Sequence, residues 1–156
     1  MSRYEGYIIE VIRTSVLIVF IVILLYFLKL LPFFSDLCFL KDNFTLYEFI
    51  EFVAFCIISF LLSEFALRVE TMVETIFDFI PQAGKIHRYL MLIISFVFLY
   101  WGGVNAFSKL ISSNYIWIYQ MFFAGVVLFL ISKVFLIIYS NGERFGRNIL
   151  SKIKGL

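Results

Sequence analysis

Between Tyr89 and Phe107 the chain runs without a single charged residue. Three other stretches are almost as apolar. Thr14–Phe34 holds only Lys29, and Tyr115–Tyr139 holds only Lys133. Phe52–Ser63 is uncharged, with Glu48, Glu51 and Glu64 at its margins. A helix of about 20 apolar residues matches a bilayer core of about 30 Å. Inside lipid, each backbone N–H and C=O needs a partner within the protein, which leaves only helices and closed barrels. Barrel strands alternate apolar and polar residues, whereas these runs are apolar on all sides. They therefore predict four transmembrane helices.

Composition agrees where it bears on this point. Charged residues make up 15% of the chain, against about 25% in soluble domains. The expected fold class is all-α: an integral membrane protein, a four-transmembrane-helix bundle with N- and C-termini inside. A single membrane domain, 1–156, is expected. Its spans lie at about 14–34, 45–67, 89–107 and 115–139. The first apolar run is long and no small-residue cleavage site follows it, so it reads as a retained span rather than a signal peptide.

Between the spans the pattern changes. Residues 1–13 place Tyr4, Tyr7, Ile8, Val11 and Ile12 at helical spacing. They predict a short interfacial helix or the first turns of span one. Residues 68–80 form an amphipathic segment, with Glu70, Glu74 and Asp78 at i, i+4, i+8 and Met72, Val73, Ile76 and Phe79 on another face. Pro81 is the expected stop of this helix, and 81–88 reads as a polar turn. The tail, 140–156, is basic. Asn43-Phe44-Thr45 matches a glycosylation sequon, but almost on the membrane surface.

Orientation follows from Lys and Arg near the span ends. With the N-terminus inside, nine basic residues fall inside (Arg3, Arg13, Arg68, Lys85, Arg88, Arg144, Arg147, Lys152, Lys154), against Lys29, Lys41 and Lys109 outside. The apolar helical spans and this bias point to a multi-pass protein of a bacterial or archaeal cytoplasmic membrane. The net charge of +2 is small and nothing points to nucleic acid. The partners implied are membrane lipids and other integral membrane proteins, as a hetero- or homo-oligomer.

The charges near the membrane form two layers. Glu64 and Lys133 fall at similar depth on the inner side and are a candidate pair. Lys29 is a candidate partner for Glu48 or Glu51 on the outer side. At about 100° per residue, Glu51 lies about 60° from Glu48, while Glu64 lies about 160° away. A single charged stripe along span two is therefore not expected. Small residues mark candidate helix-packing positions: Gly102, Gly103 and Ala106 in span three and Gly125 in span four, with Ser59 and Ser63 in span two.

Catalytic, cofactor-binding and metal sites are not expected. His87 is the only histidine and reads as an interfacial anchor. No Cys/His spacing suits a metal, and no nucleophile–base pair is evident. The expected function is a non-enzymatic small integral membrane subunit that packs against a larger membrane complex and stabilises or docks it. A homo-oligomeric ion or proton channel or transporter, with an outer acidic ring of Glu48 and Glu51, is the alternative. A lipid- or quinone-handling protein with an aromatic groove near Tyr100, Trp101 and Tyr119 is the third.

Overall fold

The structure, a computed structural model, describes residues 3–38, 44–111, 113–143 and 146. Its helices are α1 (Arg3–Lys29), the short α2 (Pro32–Asp36), α3 (Leu46–Ile76), α4 (Ala83–Leu110) and α5 (Ile116–Ser140), with a 3₁₀ turn at Ser113–Tyr115. The described residues contain no strand, only an isolated antiparallel bridge between Cys38 and Thr45. The protein is all-α, and α1, α3, α4 and α5 are each long and apolar enough to cross a membrane. It is a multi-pass membrane protein.

The long helices pack in chain order. α1 lies against α3, α3 against α4, and α4 against α5. The bundle is thus an open row with α3 and α4 at its centre. In lipid there is no hydrophobic drive between helices, so close packing and hydrogen bonds hold them together. The α3–α4 contact uses both. Ser59 Oγ donates to the Ser95 carbonyl (2.9 Å) and Ser95 Oγ donates to the Ser59 carbonyl (2.7 Å). Ser63 Oγ adds a 2.9 Å bond to the Ser59 carbonyl and lies 3.1 Å from Ser95 Oγ. Ser59 and Ser95 are buried, and each satisfies the other's hydroxyl.

Several helix ends differ from the sequence expectation, each for a local reason. Residues 3–13 are the first turns of α1. α1 ends at Lys29, short of the expected 34, and Pro32 begins the separate α2; its fixed φ and missing N–H suit a first helical position. α3 starts at a complete capping box. Thr45 Oγ1 accepts from the Glu48 N–H (3.3 Å) and Glu48 accepts from the Thr45 N–H (3.0 Å). α3 runs about 46 Å and ends at Ile76, four residues before the expected last residue, Ile80. A turn follows, closed by the Ile80 N–H on the Phe77 carbonyl (2.9 Å), with Gln82 left-handed at φ 59°. α4 then begins at Ala83, so 83–88 is helix rather than polar turn. Glu74 explains the early start: its carboxylate accepts the Gly84 N–H at 2.7 Å and satisfies an orphan donor of the first turn.

The apolar core sits at the end where α1 begins and α3 ends. Phe65, Val69, Val73 and Ala83 are buried there under Tyr7, Val11, Ile80 and Met91. The expected amphipathic segment is therefore the last part of α3. Its buried side, Val69 and Val73, is covered by α1 and the start of α4.

Candidate functional site

Three helical stripes meet near the end of α1 to form an amphipathic groove. α1 contributes Val22, Leu25, Tyr26 and Lys29, spaced i, i+3, i+4, i+7. α3 contributes Tyr47, Glu51, Phe55 and Ile58, spaced i, i+4, i+8, i+11, and α4 contributes Phe98 and Trp101. The groove has a volume of about 320 Å³, within the usual range of roughly 300–1,000 Å³ for ligand sites.

Its polar groups lie at one end. Lys29 is the last residue of α1 and Glu51 sits in the second turn of α3. Tyr47 lies one turn before Glu51 on α3, and both line the groove together with Lys29. Lys29 and Glu51 nevertheless form no direct salt bridge. Below Glu51 the lining carries no charge for about 10 Å, the axial distance from Glu51 to Ile58. Leu25 and Ile58 are the buried residues of the groove walls. Glu48 does not join this group. It pairs with Lys109 and closes the Thr45 cap. Tyr47 was not among the candidate residues read from the sequence, although its i, i+4 spacing to Glu51 is visible there.

At the opposite membrane face the charges form a chain between α1 and α3. Arg13 lies 3.9 Å from Glu10, Glu10 lies 3.8 Å from Arg68, and Arg68 lies 3.1 Å from Glu64. The expected Glu64–Lys133 pair is not formed. α3 and α5 are not packed neighbours, so Glu64 takes Arg68 one turn along its own helix, and the Lys133 ammonium sits 5.3 Å from the centroid of the Phe129 ring. Glu10 links α1 to this chain, and sequence reasoning missed it. Its signal was the i, i+3 spacing to Arg13. Arg88 pairs with Glu70 at 3.3 Å, joining α4 to α3.

His87 lies inside α4, between the rings of Tyr7 (6.4 Å) and Phe65 (6.0 Å). Both its ring nitrogens are buried without a hydrogen-bond partner, so it packs as an aromatic ring among three helices.

The small residues divide. A Cβ added to Gly102 would collide with Phe55, and one added to Gly103 with the Tyr119 hydroxyl. Ala106 is buried in the same face. Gly125 faces open space; none of α4 reaches its side of α5.

The aromatic region around Tyr100 also divides. Tyr100 and Tyr119 stack at 5.6 Å, and the Tyr119 hydroxyl donates to the Tyr100 carbonyl at 3.0 Å. Phe96, Tyr100, Gln120 and Phe123 line a second, shallow groove of about 370 Å³ between α4 and α5. Trp101 points away from it, into the Lys29–Glu51 groove. Among the described residues no group of three or more His, Cys, Asp or Glu side chains is placed to hold a metal ion. Asn43, Lys41 and most of the basic tail lie outside the described residues.

Neither a protein-family model, nor a curated protein, nor a solved structure matches this chain.

Proposed function

We propose that this chain is a small, non-enzymatic integral membrane subunit that packs against other membrane proteins and stabilises or docks a larger complex. The observation that carries the reading is the open row of helices. Only 6% of the α1 span and 11% of the α5 span is buried, against 28% for α3. A row closed at neither edge offers two long helical flanks for other helices. Exposed aromatics such as Phe20 and Phe27 on α1 and Phe122 and Phe129 on α5 supply contact area for such packing.

The reading includes residence in a bacterial or archaeal cytoplasmic membrane with both termini inside. The excess of Lys and Arg at the terminus side supports it. Native mass spectrometry of the chain extracted in mild detergent from its source membrane tests the proposal. A second membrane polypeptide at fixed stoichiometry is the expected result. A stable lone monomer overturns it.

A lipid-handling role is the second reading, favoured by the groove that ends in Lys29, Tyr47 and Glu51. The channel reading draws less support. Glu48 is engaged by Lys109 and by the α3 cap, which leaves only Glu51 of the two carboxylates for an acidic ring.

A further inference from the structure

The groove between α1, α3 and α4 carries one cation and one anion at its membrane-surface end and no charge below them. We propose that it is a binding site for a glycerophospholipid whose headgroup pairs a phosphate with a primary ammonium. This rests on the lipid-handling reading and names the lipid class.

Charge complementarity selects the headgroup. Lys29 ends α1 and is exposed, so its ammonium is free to reach a phosphate as a point charge with three donors. It has no direct salt bridge to Glu51 or to another described carboxylate. Glu51 is half-buried and lines the same groove one helical turn from Tyr47. That carboxylate keeps acceptor sites for N–H donors, because an ionised carboxylate has about four lone-pair sites. A phosphate alone would meet Glu51 as a like charge. A quaternary ammonium offers Glu51 no N–H. Trp101 is 64% exposed and Tyr26 is 67% exposed, so these rings leave the site open rather than caging a bulky cation.

The apolar part selects the rest of the molecule. Below the charged end, Leu25, Phe55, Ile58 and Phe98 form an apolar trough about 10 Å deep. An acyl chain fits such a trough without stranding a polar group. A soluble zwitterion would leave it empty.

The full-length protein in detergent, titrated separately with phosphatidylethanolamine, phosphatidylcholine and phosphatidylglycerol, tests the site by native mass spectrometry. Phosphatidylethanolamine is expected to be retained about tenfold more tightly than either of the others, since a charge-assisted hydrogen bond contributes about 1.5–3 kcal/mol. Lys29→Met and Glu51→Gln, each close in size to the native residue, should each bring that preference to near unity. Glu64→Gln, at the other membrane face, should leave it intact. Retention of all three lipids without preference overturns the headgroup assignment while lipid handling stands. Retention of none overturns both. A preference that survives both groove substitutions overturns the location.

Discussion

At Gly102 the backbone of α4 lies directly against Phe55 of α3, and no larger residue fits without moving one of the two central helices. Gly102→Leu is expected to lower stability by about 1–3 kcal/mol, the usual cost of overpacking, read as an earlier melting transition in detergent. Gly125→Leu, facing open space, should leave the transition unchanged; an equal loss from both would contradict the α4–α5 geometry. The two glycines look alike in the sequence, because each sits in an apolar run beside an alanine or another glycine. What separates them is whether a neighbouring helix arrives, and that is a long-range property. Ser95 shows the same limit. It is an ordinary serine in an apolar run until it stands against Ser59 and Ser63. Ser95→Ala removes its hydroxyl from a buried pair and should cost about 0.6 kcal/mol, the average for hydrogen bonds between membrane helices, and at most about 1.7 kcal/mol. A melting point unaffected by Ser95→Ala would show that these bonds are matched by others in the unfolded protein.

Among elements, α3 sets the frame. Its start is decided locally by the Thr45–Glu48 capping box, a pattern readable from four consecutive residues. Thr45→Ala is expected to cost about 1 kcal/mol, visible as faster hydrogen exchange in the first turn of α3 with the α4–α5 region unaffected. The start of α4 was not readable in this way, because its cap, Glu74, comes from the preceding helix across a turn. Charge pairing follows the same division. Glu64 and Arg68 are one helical turn apart and meet on α3, while Lys133 belongs to α5, which packs mainly against α4. A double-mutant cycle of Glu64→Gln with Arg68→Met should give a coupling of about 0.3–0.5 kcal/mol. The cycle of Glu64→Gln with Lys133→Met should be additive. Measurable coupling in the second cycle would require α3 and α5 to be adjacent.

For the whole molecule, the order of the row is the feature with consequences. With Cys38 and Cys56 replaced, Ser63→Cys together with Ser95→Cys should cross-link within one chain, since the native oxygens are 3.1 Å apart. Val19→Cys on α1 together with Leu128→Cys on α5 should not, because α1 and α5 occupy opposite edges. A cross-link between those two flanks that appears only at the mass of two chains would place like copies side by side. One at the mass of a single chain would mean that the row closes into a ring.

The amino-acid sequence alone determined that this chain crosses a membrane four times as helices. Long uncharged runs leave the backbone no other way to satisfy its polar groups in lipid. It also determined the capping of α3 and the i, i+4 partners along each helix, which depend on neighbours in the chain. Only the tertiary structure decided that α3 and α4 lie at the centre, that Glu64 and Lys133 stay apart, and that Lys29, Tyr47 and Glu51 share one groove. Spans that are apolar all round carry almost no record of which face meets which neighbour. Glycines that admit close approach and a few buried hydroxyls and charges make that choice, and their partners lie tens of residues away.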